Sequence, residues 1–301
     1  MRVLVTGAKG FVGVRLVGRL AADGHDPIAV DFEEMDVTDS EAVRATVSAE
    51  APDAIIHLAG IAFVPEADAD PARACRINFG GARNLIDAVA AASRPIRVLL
   101  VGSGEQYAPT DPSAPPVDEE APLEPTSVYA LAKAAADLAG ELAAARGLDV
   151  VRVRPFNHTG VCQRDVFVAP EFARQVAEIE AGRRERMTVG NLESIRDLLH
   201  VDDVVDAYVR LLDPVVPASA YNVASGVGTR IGDLIEMLRE RSDASIEVAG
   251  DPAKLGRPAN ARVGDARRLR EATGWKWTRS IDDTMGELLD DWRVRVRSEG
   301  A

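Results

Sequence analysis

The sequence predicts an α/β fold: a doubly wound parallel sheet followed by a smaller C-terminal α/β lobe. Three observations carry that reading. Short β-branched runs alternate with longer Ala/Leu/Arg segments through the first half of the 301 residues, the pattern of strands joined by crossover helices. Apolar residues within the short runs are contiguous, as in strands buried on both faces. The chain is long enough for one large domain with an appended lobe, and buries enough surface to need no disulfide or structural metal.

Taken in order, strands are expected at 2–6 (RVLVT), 27–31 (PIAVD), 53–58 (DAIIHL), 96–101 (IRVLLV) and 149–154 (DVVRVR). Helices are expected between them near 11–23, 40–50, 71–93 and 127–146. Residues 108–125, rich in Pro, Asp and Glu without an apolar period, read as a loop. Its length exceeds the usual ~12–15 residues of structureless connections, which points to a lid or wall. Beyond 155 the pattern is irregular, with helices near 170–182, 202–213, 230–242 and 281–297 and short strands near 187–189, 220–223 and 246–248. The expected division is a dinucleotide-binding domain over 1–155, to which segments near 195–220 return, and a second lobe over 156–301.

Charge excludes several function classes. With 35 Lys+Arg against 48 Asp+Glu, the formal net charge is −13, which repels nucleic-acid phosphates and anionic membranes. The first apolar run is too short for a signal peptide, and no stretch approaches the ~20 apolar residues of a membrane span. Cys75 and Cys162 have neither disulfide nor metal-ligand spacing, and a cytoplasmic protein is expected. Cys162 reads as a small buried hydrophobe rather than a reactive thiol. His57 and His158 lack ligand spacing too, so no metal site is expected.

Three motifs carry chemistry. The first strand runs into Thr6-Gly7-Ala8-Lys9-Gly10-Phe11-Val12-Gly13. Gly7 permits a tight turn, Gly10 lets backbone approach a pyrophosphate and Gly13 allows close helix packing, while free N–H groups attract phosphate. Asp31 closes the second strand about 20 residues later, where a carboxylate accepts from ribose hydroxyls and repels a 2′-phosphate. NAD(H) is therefore favoured and NADP(H) remains possible; Asp36 could reach the adenine amino group.

Tyr129 and Lys133 form Tyr-x-x-x-Lys, an i, i+4 pair on one helical face. An ammonium beside a phenol is expected to lower the tyrosine pKa from its free value of ~10. Only four lysines occur in the chain, which makes an accidental pairing less expected. Ser103, in Gly102-Ser103-Gly104, follows the fourth strand at the sheet edge where such folds place ligands. Its hydroxyl could donate to a substrate carbonyl.

These residues, with His57-Leu58-Ala59-Gly60 and Arg154-Pro155-Phe156-Asn157, resemble the extended short-chain dehydrogenase/reductases that act on nucleotide sugars. The runs at 154–160 (RPFNHTG), 172–175 (FARQ) and 189–192 (VGNL), leading to Arg196-Asp197, are most similar to the GDP-4-keto-6-deoxy-mannose reductases and their dehydratase relatives. The resemblance implies a Rossmann-like sheet with a nucleotide-sugar-binding lobe. It makes Ser103 the carbonyl donor, Tyr129 the acid/base, and Lys133 the tuner of Tyr129 and binder of the nicotinamide ribose. Phe11, Val12, Val37, Leu58, Ala59, Gly60 and Pro155 would line the cofactor, and Asn157 and Glu105 the sugar. Arg196 and Arg257 would clamp the substrate diphosphate, as forked guanidiniums can.

Two stretches depart from the resembled pattern, Gly160-Val161-Cys162-Gln163 and Asn260 after the Arg-Pro pair, which bear on sugar and base selectivity. Three functions stay open. One is NAD(P)H-dependent reduction of the C4 ketone of a nucleotide-linked, GDP-type 4-keto-6-deoxy sugar. Another is a dehydratase or epimerase that recycles NAD, kept open by Glu105. The third is a non-enzymatic dinucleotide sensor, disfavoured by the retained Ser103, Tyr129 and Lys133. The resemblance further implies a homodimer through a four-helix bundle of the helices near 71–93 and 127–146. The small residues Ala134, Ala135, Ala136, Ala139, Ala143 and Ala144 would permit that contact, although helix propensity alone also produces such a run.

Overall fold

A computed structural model describes residues 1–251 and 259–298. Its strands are β1 (Arg2–Thr6), β2 (Asp26–Val30), β3 (Ala54–His57), β4 (Arg97–Val101), β5 (Val150–Pro155), β6 (Asn157–Thr159), β7 (Met187–Val189), β8 (Ile195–His200), β9 (Ala220–Val223), β10 (Gly228–Arg230), β11 (Val248–Gly250) and β12 (Ala261–Arg262). Its helices are α1 (Phe11–Ala22), α2 (Ser40–Glu50), α3 (Val64–Ala69), α4 (Pro71–Cys75), α5 (Gly81–Ala90), α6 (Val128–Ala145), α7 (Val168–Glu180), α8 (Val201–Arg210), α9 (Ile231–Arg239), α10 (Arg267–Thr273) and α11 (Ile281–Ser298).

Six strands pair in parallel in the order β2-β1-β3-β4-β5-β9. Successive residues of each strand point to opposite faces, and both faces are buried except at the edge strand β2, where only Val30 is. Val3 and Val5, Ile56, Leu99 and Val151 enter one core with Leu16 and Leu20 of α1 and Val204 and Tyr208 of α8. Leu4, Ile55, Val98 and Val150 enter the other with Val43 of α2, Leu85 of α5 and Ala136 of α6. The strand order reverses at β1, between β2 and β3, and a reversal of this kind opens a crevice at the carboxyl ends of the strands.

A third core joins α7, α9 and α11 around Met187 and Trp292. Beside it β8 pairs with β10, β12 and β6, and β7 pairs with β11. The sequence reading missed β6, β10, β12, α3 and α10, which are two to seven residues long and too brief to show a period, and β8, whose six residues mix polar with apolar side chains. The predicted helix over 71–93 is three pieces: α4, a π-helical turn at Arg76–Gly80, and α5.

The loop over 108–125 is a wall pinned to the C-terminal part of the chain. Thr110 bridges to Ala261 and Val117 to Gly264, while Tyr107 bridges to Leu123 across the loop's base. Beneath it, the buried Arg154 guanidinium donates to both carboxylate oxygens of Asp137, from Nε at 2.9 Å and Nη2 at 2.9 Å, and to the Tyr107 hydroxyl at 2.7 Å. Cys162 is exposed, contrary to the sequence reading, because the backbone after Gly160 turns outward through a positive φ of 69° at that residue.

Candidate active site

The first strand delivers its last residues into a turn closed by Gly10 N–H donating to the Gly7 carbonyl at 3.1 Å. A Cβ on Gly13 would lie 2.2 Å from that carbonyl oxygen, so only glycine lets α1 start this close to β1. Gly10 caps α1 without a side-chain hydrogen bond, and the first turn carries no acidic residue. Its amides are thus left for an anion. Phe11 and Val12 are half-buried at this entry, and the Phe11 ring stacks on His158.

Asp31 stands beside the turn, its carboxylate accepting from the backbone N–H of Lys9 and of Phe32, both at 2.8 Å. It therefore also holds the glycine turn in place. The Lys9 ammonium pairs with Glu33 and Glu34, so three carboxylates surround this corner. Asp36 accepts from the backbone and side chain of Thr38, and Val37 is buried against Gly81. At the end of β3, Thr6 and the buried His57 share a hydrogen bond of 2.8 Å, and Ala59 N–H donates to the Thr6 hydroxyl at 3.1 Å. This pair fixes the half-buried Leu58 and Ala59 next to the exposed Gly60. Burial pushes His57 down to about 3, so the ring is neutral.

Across the crevice, Ser127 caps α6 by accepting from Ala130 N–H at 3.1 Å, which sets Tyr129 and Lys133 on consecutive inward turns. Both are buried. Ser103, two residues after β4, lies close enough to the Tyr129 phenol to lower its pKa. Gln106 holds the Ser103 backbone, its side-chain oxygen accepting from Ser103 N–H at 2.6 Å. Pro155 is buried at the end of β5, and Asn157 is exposed just beyond it.

The expected lowering of the phenol pKa does not follow from the surroundings of Tyr129. Burial pushes the Tyr129 phenol up to about 12, opposed by Ser103 and reinforced by the Glu105 charge. Lys133 does not counter it: its ammonium donates to the Val101 carbonyl at 2.8 Å, and burial pushes it down to about 8. An ammonium has three donors, and Val101 is its one acceptor among the described residues. The unused donors, the uncapped start of α1 and the glycine turn fit a dinucleotide lying between them.

On the lobe side, Glu105 pairs with Arg262 at 2.5 Å. Arg196, opposite Arg262 on β8, donates to the Ile195 and Asn260 carbonyls at 2.7 and 3.1 Å. Arg257 lies outside the described residues. Sequence reasoning missed Asn78, in the π-helical turn, whose buried amide exchanges two hydrogen bonds with the backbone of Ile61 at 2.7 and 3.0 Å. A Cβ on Gly60 would lie 2.9 Å from Asn78 Oδ1 and 3.5 Å from Lys133 Nζ, so both groups crowd this glycine. A polar residue inside an otherwise helical run was the available signal. Arg262 was missed as well, and it has no local motif.

The parallel sheet, glycine turn and Ser103/Tyr129/Lys133 set define a dinucleotide-dependent protein of the short-chain dehydrogenase/reductase type. Residues 3–224 match the NAD dependent epimerase/dehydratase family, and the chain belongs to it. It is 39% identical over 303 residues to GDP-6-deoxy-D-mannose reductase of Pseudomonas aeruginosa, covering 99% of both chains. It is 31% identical to UDP-glucose 4-epimerase of Mycolicibacterium smegmatis, covering 97% of this chain and 99% of the other. Among solved structures, that of RMD from Pseudomonas aeruginosa complexed with NADPH superposes with a TM-score of 0.89 at 36% identity, covering 98% of this chain and 99% of that one. No helix among the described residues is long and apolar enough to cross a membrane.

Proposed function

We propose that this protein reduces the C4 ketone of a nucleotide-linked 4-keto-6-deoxy sugar, with GDP as the nucleotide. The observation that carries the reading is the convergence of Ser103, Tyr129 and Lys133 beside the glycine turn, with the Tyr129 phenol pushed up to about 12. A phenol that keeps its proton at neutral pH is a donor, which a forming alkoxide requires. The 39% identity to a GDP-6-deoxy-D-mannose reductase supports the substrate class.

The bound NAD(P)H would supply a hydride to the carbonyl carbon. Ser103 donates to the carbonyl oxygen, and Tyr129 transfers its proton to that oxygen as the C–O double bond opens. Lys133 holds the nicotinamide ribose with its remaining donors. The amides of α1 hold the pyrophosphate, Asp31 the adenosine ribose and Asp36 the adenine. Phe11, Val12, Val37, Leu58, Ala59, Gly60 and Pro155 form the walls. Asn157 borders the sugar, and Arg196 with Arg257 takes the diphosphate. Although the Pseudomonas aeruginosa structure is an NADPH complex, the three carboxylates at Asp31, Glu33 and Glu34 favour NADH here.

NADH absorbance followed with and without the GDP-linked 4-keto sugar tests this directly. Net oxidation is expected only with the sugar; its absence, with a dehydrated or epimerised product instead, would replace the reading by a redox-neutral one. Glu105, beside Ser103 and Tyr129, is the observation that favours that second reading.

The protein is further proposed to act as a cytoplasmic homodimer. The alanines cited from sequence do not carry the argument, because Ala134, Ala136 and Ala143 are buried within the protomer. Instead Leu131, Leu138 and Leu142 make an apolar stripe on the outer face of α6, 54, 55 and 50% exposed, with Phe79 also exposed. A second copy of the same stripe would cover it around a two-fold axis, with active sites on the inward faces. Light scattering decides it: a mass near 32 kDa that does not rise with concentration rejects the dimer.

A further inference from the structure

We propose that Arg262 is a positioning residue that pairs with the Glu105 carboxylate and so keeps it from acting as a base on the carbons flanking the substrate ketone. The inference rests on the keto-sugar reading above and concerns what prevents that site from doing other chemistry.

Arg262 comes from β12, far along the chain, yet it bridges the segment that follows Ser103 and the segment that leads into α6, which carries Tyr129. Its Nη1 meets Glu105, two residues after Ser103, at 2.5 Å, and its Nη2 donates to the hydroxyl of Thr126, three residues before Tyr129, at 3.2 Å. The guanidinium is nearly enclosed, its side chain 9% exposed, and its Nε is buried without a hydrogen-bond partner among the described residues. A buried donor left unmade is costly, so packing and not hydrogen bonding alone sets this side chain's place. Arg196, its neighbour across the strand pair, makes no ion pair among the described residues, so Arg262 is the arginine that pairs with Glu105, while the Arg196 charge acts on it only through space.

A ketone acidifies the C–H bonds on both adjacent carbons. A free carboxylate near Ser103 and Tyr129 would remove one of those protons, the C–H electron pair passing to the carbonyl oxygen as an enolate. Return of a proton from the carboxylic acid to carbon restores the ketone with exchange or inversion. That cycle is redox-neutral, consumes no co-reactant and competes with reduction. Glu105 meets the guanidinium through one oxygen, Oε2 against Nη1, and a charge-assisted contact of this kind turns the carboxylate toward the arginine and lowers its basicity, which leaves the Tyr129 proton as the one delivered.

The test incubates the GDP-linked 4-keto-6-deoxy sugar in D2O without NAD(P)H and follows loss of the C3 and C5 proton signals by NMR. Wild type, Arg262→Met, Arg262→Gln and Arg262→Met/Glu105→Gln are compared, the Gln variant retaining a side chain able to bond Thr126. Exchange is expected to rise at least tenfold in both single variants and to return to the wild-type rate in the double variant. Wild-type exchange in whichever single variants keep the native circular dichroism overturns the proposal, as does undiminished exchange in the double variant. Failure of wild type to oxidise NAD(P)H with this ketone counts against the substrate reading alone if Arg262→Gln still exchanges its protons. Absence of both reactions overturns both.

Discussion

The Lys133 ammonium donates to the carbonyl oxygen of Val101 at 2.8 Å, tying α6 to the end of β4 two residues before Ser103. This single bond fixes the spacing between the helix that carries Tyr129 and the strand end that carries Ser103. It also directs the ammonium toward the strand end, and Lys133 is not among the groups that shift the phenol. Tyr129 consequently stays protonated, in the state a carbonyl reduction starts from.

Replacing Tyr129 by Phe is expected to cut turnover by about 10² to 10⁴, the usual worth of a placed acid. Cofactor affinity, measured by fluorescence titration, should change little, since the phenol is neighbour to Ser103 and Glu105 and is not the main dinucleotide contact. Turnover within a few-fold of wild type would remove Tyr129 from the acid role.

Lys133 should set an alkaline limb in the pH profile. Its folded pKa of about 8 lies below the ordinary 10.5, so kcat/KM should fall as pH rises through about 8. The linkage sign is opposite to that of a favourable pair. Below the folded pKa the full penalty of burying the charge is present, and stability rises with pH between about 8 and 10.5 as the unfolded chain alone keeps the proton. Lys133→Met should therefore be inactive yet more stable at pH 7, by up to ~3 kcal/mol at 1.36 kcal/mol per unit. A lower melting temperature for that variant would contradict the penalty.

Cofactor choice should track Asp31. Wild type is expected to use NADH better than NADPH in kcat/KM, and Asp31→Ala should narrow or invert the ratio. Because Asp31 also accepts from Lys9 and Phe32 N–H, the same change should weaken both cofactors somewhat. A wild-type preference for NADPH would show that this carboxylate does not face the ribose.

Stability should depend on Asp137. Burial pushes its carboxyl up, but hydrogen bonds and charge from Arg154, with Arg152, outweigh that and hold it below the usual aspartate value. A depressed folded pKa stabilises above the unfolded value of ~3.9, and that contribution is lost as pH falls through the folded pKa. Asp137→Asn leaves the Arg154 guanidinium enclosed without its counter-ion, a change that costs about 3–5 kcal/mol. Urea titration at pH 7 checks the size, and a loss below about 1 kcal/mol would mean that Arg154 finds other partners.

The five strands read in the first half were legible because their apolar residues run together, and the helices on both faces because most are long enough to repeat a pattern. β8 was not: Ile195-Arg196-Asp197-Leu198-Leu199-His200 has polar residues where a buried strand has apolar ones, since Asp197 accepts from the backbone N–H groups of Ser225, Gly226 and Gly264. Tyr129, Lys133 and Ser103 were readable because local spacing creates their chemistry. Arg262 was not, because its partners Glu105 and Thr126 come near only through the bridges between 110–117 and 261–264. The lowered phenol pKa was misjudged for a related reason: i, i+4 spacing says which face two side chains share, but not that Val101 holds the ammonium.

The π-helical turn at Arg76–Gly80 carries one residue more than a regular helix needs to join α4 to α5. Removing one residue there would restore ordinary helical register while leaving Leu85, Ile86 and Val89 on the sheet-facing side. The α5 packing would persist, but Asn78 would no longer meet Ile61, and the backbone beside Gly60 would lose its anchor. The extra residue thus serves the crevice and not the core, so one in-frame codon separates the shape of this wall from the architecture behind it.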